Sequence, residues 1–251
     1  MSALKLSRQE GVGIVALARP PMNAMDAALL EELADVFAKF ADDPSIQAAV
    51  ITGDGQAFSA GLDLKVVPGL DITGQHRLIT ALNACFGALY GWPKPLVAAV
   101  NGHAIAGGLI LALCADRRLV ADVPMQVSLA EVRVGVTYPV SALDVARYEL
   151  TPAAARRLVL LGETLDARGA VAWGVFDQEI PADELLPRAV DAARRDARLA
   201  PTAFKTIKKE MREPALARIA AALAGHGEPR YANWLTEETR RAAAAALRST
   251  S

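Results

Sequence analysis

Two short apolar runs, each followed by a loop of small residues, constrain the fold of this chain most strongly. Ala48–Thr52 ends in the turn Gly53-Asp54-Gly55, and Leu96–Val100 leads into the glycine-containing stretch 101–108. Runs of four or five apolar residues bounded by turn residues are typical of strands buried on both faces. Helical patterns separate these runs along the chain. The alternation predicts an α/β fold of stacked β-β-α units with largely parallel strands.

The remaining elements are predicted from periodicity and from breaker residues. Val12–Leu17 is a strand, and Asp26 caps a helix that runs from Ala27 to about residue 40. A second helix covers about residues 74–91, and Gly107–Ala115 forms a short apolar helix. From Pro152 onward the chain is almost wholly helical, with one strand near Val175–Ile180. Prolines mark breaks between those helices: Pro181, Pro201, Pro214 and Pro229.

These patterns divide the chain into residues 1–200, a β-β-α core, and residues 201–251, a helical C-terminal region. The last helix of this region is predicted over Ala232–Leu247.

A formal net charge of −1 argues against a nucleic-acid partner. The chain has no charged-then-apolar leader and no apolar run long enough for a membrane span, so we expect a cytoplasmic protein. Its two cysteines lie in apolar runs without metal-ligand spacing, and no metal is expected.

The loops after the two buried strands offer unshielded backbone N–H groups. Ala60 and Gly61 carry no bulky side chain, and Gly107 and Gly108 open a helix whose first N–H groups lack internal partners. Two such donors that converge on one oxygen would form an oxyanion hole. The alternative is that the first loop is a plain turn and that Gly107-Gly108 only permits close packing.

Four segments carry a resemblance to a known family: Ala57–Lys65, Asn101–Asp116, the lead-in Pro93–Val100, and Arg19–Met25. Together they resemble the crotonase (enoyl-CoA hydratase/isomerase) family, from about residue 10 to about residue 213. The resemblance implies a crotonase-like fold. It also implies that the backbone N–H groups of Ala60 and Gly107 form the oxyanion hole. Further residues are then expected to contact an acyl-CoA substrate: Asn23, Ala24 and Met25 at the adenosine pocket, and Ser59, Gly61 and Gly108 beside the donors.

The family's hydratases use two carboxylates, and this chain departs from that pattern. The first carboxylate maps onto Ile110 and is missing, whereas the second maps onto Glu131 and is present. One base in apolar surroundings suits a Δ3,Δ2-enoyl-CoA isomerase, because the same group can remove a proton at C2 and return it at C4. Leu109, Ile110, Val127 and Val132 could supply those surroundings. Without the resemblance, Glu131 reads as an ordinary surface or capping glutamate.

Three other functions stay open. Glu131 could support hydration of a 2-enoyl-CoA if a group other than a carboxylate positions the water. Similar folds also hydrolyse, decarboxylate or dehalogenate their substrates, and a catalytically silent acyl-CoA-binding protein is a further alternative. A nicotinamide dehydrogenase is disfavoured because no G-x-G-x-x-G follows the first strand.

Several other residues could contact the substrate, but each could also have only a structural role. Asp63 is expected to cap the first loop, Lys65 to meet a CoA phosphate, His103 to touch pantetheine, and Tyr138 to line the acyl pocket. Asp144 is either a second acid or an exposed helix residue. Coenzyme A is part of the substrate, so no separate cofactor is expected. The resemblance also implies a homotrimer or a hexamer made of two trimers, with Trp234 as a packing residue of the C-terminal region.

Overall fold

The structure is a computed structural model that describes residues 3–63, 66–231, 234–239 and 241–242. In chain order its strands are β1 (Leu4–Gln9), β2 (Val12–Leu17), β3 (Ala48–Gly53), β4 (Ala57–Ser59), β5 (Leu96–Val100), β6 (His103–Ile105), β7 (Arg117–Ala121), β8 (Val127–Ser128), β9 (Thr164–Leu165) and β10 (Gln178–Ile180). Its α-helices are α1 (Ala27–Asp42), α2 (Ile72–Tyr90), α3 (Gly107–Leu113), α4 (Val140–Glu149), α5 (Pro152–Ala155), α6 (Ala167–Ala172), α7 (Leu185–Asp196) and α8 (Pro201–Leu223).

Two sheets organise these elements. The larger has the order β1-β2-β3-β5-β7-β10, in which only β1 runs antiparallel to its neighbour. The smaller has the order β4-β6-β8-β9, in which β4, β6 and β8 are parallel. Every residue of β5 is buried, as its continuous apolar sequence predicts. The predicted α/β class with largely parallel strands is confirmed.

The way the chain passes between the sheets positions the two glycine loops. β3 of the large sheet leads through a short turn into β4 of the small sheet, and β5 leads in the same way into β6. Since β3 pairs with β5 and β4 pairs with β6, the loops that follow β4 and β6 emerge side by side. α7 packs on β3 and β5 of the large sheet, and α2 packs against α1, α4 and α8.

Several predicted boundaries need correction. The second helix begins at Ile72 because the side chain of Asp71 accepts a hydrogen bond from the Gly74 N–H. α3 ends at Leu113, two residues before the prediction, and β10 covers only the end of the predicted strand Val175–Ile180.

Pro214 does not separate two helices but lies inside α8. Side chains on both sides of this proline hold the helix together. Arg212 donates to the Tyr90 carbonyl at 2.8 Å, and Ala215 and Ile219 are buried. Tertiary contacts therefore override the helix-breaking tendency of proline here.

The C-terminal region is closely joined to the core. α8 packs against α2 and α4, and the side chain of Lys208 is buried on Asp116 at 2.7 Å. The division at residue 200 falls between α7 and α8 and stays a prediction. Half of the predicted helix Ala232–Leu247 lies outside the described residues. No helix in the described part of the chain is both long and apolar enough to cross a membrane.

Candidate active site

The two glycine loops make direct backbone contact. Ala57 lies opposite His103 in the pairing of β4 with β6. A methyl group placed on Gly61 would lie 3.1 Å from the backbone nitrogen of Gly107, and one placed on Gly108 would lie only 2.2 Å from the Ser59 carbonyl oxygen. Gly61 also has a φ of +79°, which glycine adopts without strain. These glycines are required for the loops to meet.

The N–H of Gly107 is available to a ligand. Ala106 precedes α3 with a φ of 52°, and its own N–H donates to the Ser128 carbonyl at 2.8 Å. This left-handed conformation is uncommon for alanine, and such residues cluster at functional sites. In the part of the chain that the structure describes, the N–H groups of Gly107 and Gly108 have no hydrogen-bond partner, as expected for the first residues of a helix.

The N–H of Ala60 differs from the prediction because it already has a partner. It donates to the Met22 carbonyl oxygen at 2.9 Å. The carbonyl is brought there by the turn that contains the cis Pro20–Pro21 bond and Asn23, whose φ is 51°. In this structure Gly107 therefore offers a free N–H, and Ala60 offers one that a ligand oxygen would share with Met22.

A cavity of about 110 Å³ joins these donors to the predicted base. Ala60, Gly107 and Glu131 all line it. Most of its other walls are apolar, including Leu62, Leu82, Phe86, Val134, Val136 and Trp234. An apolar chamber whose described lining includes the Glu131 carboxyl group and the free Gly107 N–H fits an acyl thioester better than a strongly charged ligand.

Glu131 opens a short 3₁₀ turn, Glu131–Arg133, and its carbonyl accepts the N–H groups of Val134 and Val136. The residue as a whole is half-buried, but its Oε2 atom is shielded from solvent and has no hydrogen-bond partner. Burial raises the pKa of this carboxyl from 4.5 to about 7, and the nearby Tyr138 hydroxyl and a backbone N–H offset part of that rise. Glu131 is therefore poised to exchange a proton near neutral pH.

The substrate contacts expected of Ile110 and Tyr138 stay predictions. Both residues are buried, but neither is among the residues that line the cavity. Tyr138 lies beside Glu131 instead. Of the expected apolar surroundings, Leu109 and Val127 are buried, whereas Val132 is 52% exposed. Leu82 and Phe86 of α2 and Trp234 of the C-terminal region supply part of the apolar wall.

The predicted adenosine-pocket residues brace the first loop. The buried Asn23 amide donates to the carbonyls of Asp54 and Ala57, at 3.1 and 2.8 Å. The Ser59 hydroxyl donates to the Asn23 carbonyl at 2.8 Å, and the Met25 N–H donates to the Gly61 carbonyl at 2.7 Å. These side chains and backbone groups hold the loop in shape. None of Asn23, Ala24, Met25, Ser59 and Gly108 lines the cavity.

The minor candidates also have structural partners. Asp63 forms an ion pair with Arg19 at 3.4 Å, which ties the first loop to the Arg19–Met25 turn. The Nδ1 atom of His103 accepts the Gln126 N–H at 3.1 Å. Lys65 lies outside the described residues. The contacts predicted for Asp63, Lys65 and His103 with parts of CoA stay predictions.

Asp144 is neither exposed nor available as a second acid. Its side chain is fully buried, and its two oxygens bind Arg147 at 3.0 Å and Arg218 at 2.6 Å. It faces α8, while Ala142 on the same helix lines the cavity. The expectation of an exposed helix position is wrong because α8 covers this side of α4.

The sequence did not indicate that Leu82 and Phe86 would line the cavity. Leu82 and Phe86 lie one turn apart on α2, within its stripe of buried apolar residues. That stripe was visible in the sequence, but the face it covers was not. Trp234 does keep the predicted packing role: it is buried, lines the cavity, and donates its indole N–H to the Thr137 carbonyl at 2.8 Å.

Comparison with known proteins gives the same fold. The human mitochondrial Δ3,Δ2-enoyl-CoA isomerase superposes with a TM-score of 0.90 at 25% identity, covering 99% of this chain and 98% of that one. An enoyl-CoA hydratase from Mycobacterium ulcerans Agy99 superposes with a TM-score of 0.81 at 29% identity, covering 89% and 97%.

Sequence comparison points to the same group of enzymes. The carnitinyl-CoA dehydratase of Proteus mirabilis (strain HI4320) is 33% identical over 216 residues, which cover 82% of this chain and 79% of that protein. The sequence profile described as Enoyl-CoA hydratase/isomerase matches residues 7–241. The match covers most of the chain and agrees with the geometry of the two glycine loops, so this chain belongs to the enoyl-CoA hydratase/isomerase family.

Proposed function

We propose that this protein is a Δ3,Δ2-enoyl-CoA isomerase in which Glu131 is the only acid/base. Its carboxylate removes a proton from C2 of a 3-enoyl-CoA, and the electron pair passes into the thioester carbonyl. The resulting oxyanion accepts a hydrogen bond from the Gly107 N–H. The same carboxyl group then returns the proton at C4, and the double bond moves into conjugation with the thioester.

The observation that carries this proposal is that, among the described residues that line the cavity, Glu131 is the one with a carboxyl group, and its pKa is about 7. A base of that strength is half ionised at neutral pH, so it can both take up and release the proton. By the family resemblance, Ile110 replaces the second carboxylate that would orient a water molecule, and its apolar side chain cannot take that role. The apolar walls exclude water that would add to the double bond or quench the enolate.

Ala60 contributes the second hydrogen bond in this proposal. Its N–H lines the cavity but donates to Met22 at 2.9 Å. A developing oxyanion is a stronger acceptor than a neutral peptide carbonyl. The N–H would therefore turn towards the substrate oxygen as charge develops, or be shared between the two oxygens. Apo geometry of this kind commonly tightens only when substrate is bound.

A hydratase or dehydratase is the second candidate. It is favoured by the name of the Proteus mirabilis relative, carnitinyl-CoA dehydratase. Addition or removal of water would require a second polar group beside Glu131, and the Tyr138 hydroxyl, which lowers the pKa of the glutamate, is one candidate. A silent acyl-CoA-binding protein is the remaining alternative.

The substrate in this proposal is an acyl-CoA, so coenzyme A enters with it and no separate cofactor is needed.

We also propose assembly as a homotrimer or as a hexamer of two trimers, in the cytoplasm. Leu160 and Leu161 are 66% and 63% exposed, and Val132 lies beside the neighbouring Gly162. Such an exposed apolar group supports contact between copies of the chain.

A paired assay tests the proposed reaction. The protein receives a 3-enoyl-CoA and, in a separate reaction, the 2-enoyl-CoA of the same chain length. Absorbance of the conjugated thioester is expected to rise with the first substrate and to stay constant with the second. A fall in absorbance with the 2-enoyl-CoA would mean that the protein adds water, and the hydratase would replace the isomerase. With no change on either substrate, a CoA-binding titration would test the silent binder.

A further inference from the structure

Two complementary groups lie unpaired beside each other at the candidate site. Among the described residues, the buried side-chain oxygens without a hydrogen-bond partner are Oε2 of Glu131 and the hydroxyl of Tyr138. Buried polar atoms in native proteins are nearly always paired, so each exception requires an explanation. A carboxylate oxygen accepts and a phenol donates. The two exceptions can therefore satisfy each other.

Towards an ionised Glu131, Tyr138 can act only as a donor. Burial, together with the neighbouring negative charge of Glu131, raises the pKa of its phenol above the ordinary value of 10. The hydroxyl therefore keeps its proton wherever Glu131 is ionised. A donor that faces the carboxylate favours its charged form, which is the form that acts as a base.

The backbone on both sides of Tyr138 is fixed. On one side Thr137 accepts the indole N–H of Trp234 at 2.8 Å. On the other side the first N–H groups of α4 are held by distant side chains: Val140 donates to Glu228 at 3.1 Å and Ser141 donates to Asn83 at 2.9 Å. The ring is thus placed independently of any substrate.

The two residues differ in their position relative to the cavity. Glu131 lines it and Tyr138 does not. We propose that Tyr138 is a positioning residue for Glu131: its O–H donates to one carboxylate oxygen and so holds the other towards the cavity. This inference rests on the proposed role of Glu131 as the base. It assigns to a tyrosine the orienting task that a second carboxylate would otherwise share.

The other titratable groups around Glu131 that the structure describes are engaged elsewhere or face solvent. Arg133 on the same turn and Glu238 near Gly135 are exposed. α3 carries no titratable side chain, and Cys85 on α2 is a buried thiol whose pKa is raised by burial. The remaining groups are paired: Arg157 with Glu163, Asp144 with Arg147 and Arg218, Asp63 with Arg19, and Glu228 with Asn83. Within the described part of the chain, Tyr138 is thus the side chain that acts on the Glu131 carboxyl.

The test is the pH profile of kcat/KM for Tyr138→Phe, which keeps the ring and removes the hydroxyl. In the wild type, kcat/KM should rise with pH and level off above about 7, because Glu131 must be ionised. Loss of a hydrogen bond to a charged group should move this rise upward by about one pH unit, which lowers kcat/KM at pH 6 about tenfold. At pH 9 the loss should be smaller. Tyr148→Phe, on the exposed part of α4, is the matched control and should leave the profile unchanged.

A second measurement separates this inference from the proposed reaction. The carboxyl ¹³C signal of Glu131, identified by its absence in Glu131→Gln, can be titrated without any substrate. An upward shift of its midpoint in Tyr138→Phe supports the hydrogen bond even if the protein fails to isomerise a 3-enoyl-CoA. An unchanged midpoint in both the titration and the pH profile, with activity lost equally at every pH, would overturn it while the isomerase proposal stands.

Discussion

Glu131→Gln is expected to lower kcat for conversion of a 3-enoyl-CoA to a 2-enoyl-CoA by about a hundred- to ten-thousand-fold. Glutamine has nearly the same shape as glutamate, but its amide cannot accept the C2 proton. The two N–H donors and the apolar walls remain, so substrate binding should change much less than kcat. The measurement is the initial rate of increase in conjugated thioester absorbance at saturating substrate.

A carboxylate far from the cavity provides the control. Glu184 is exposed and pairs with Arg188 at 2.6 Å, and Glu184→Gln should retain wild-type activity. If Glu131→Gln were as active as this control, the proton would be moved by another group. Because Ile110 and the buried, arginine-bound Asp144 cannot serve, such a result would remove the basis of the mechanism.

The same substitution is expected to stabilise the protein at alkaline pH. The Glu131 carboxyl has a pKa of about 7 in the folded chain against an ordinary value of 4.5. Below pH 4.5 it is protonated in both the folded and the unfolded state and has no effect. As the pH rises through this interval, the unfolded state releases the proton while the folded state retains it, so wild-type stability falls. Above pH 7 the accumulated cost is about 3 kcal/mol.

Glutamine does not ionise and escapes this cost. The free energy of unfolding of Glu131→Gln, relative to wild type, should therefore increase by about 3 kcal/mol between pH 4 and pH 8. Urea unfolding at several pH values and one fixed protein concentration measures this difference. A variant that loses activity and gains stability would identify Glu131 as a residue retained for function at the expense of stability. A difference that stays constant with pH would mean that the carboxyl is not buried as described.

The sequence was sufficient for the parts of the site that depend on local backbone. The strands β3 and β5 were predicted from apolar runs bounded by glycine, and the structure confirms them. Parallel pairing then required the following loops to meet, and Gly61 and Gly107 are in contact. Glu131 could be singled out only through the family resemblance, because one glutamate in a mixed segment carries no distinctive pattern.

The missed features depend on contacts between distant segments. The Met22 carbonyl reaches Ala60 across a turn in which Asn23 has a left-handed φ of 51°. Burial of Asp144 depends on α8, which begins more than fifty residues later in the chain. The place of Tyr138 behind Glu131 depends on how Trp234 and Glu228 fix the start of α4. The local periodicity of the sequence does not predict contacts between segments so far apart in the chain.

The central claim is that one carboxyl group carries a proton from C2 to C4 of an acyl thioester. It is tested most directly with a 3-enoyl-CoA that carries deuterium at C2, converted by the protein in ordinary water. The position of deuterium in the 2-enoyl-CoA product is then read by NMR at low conversion. We predict that part of the label appears at C4 and that Glu131→Gln forms no such product. A product with only solvent hydrogen at C4, formed equally fast by Glu131→Gln, would contradict the claim.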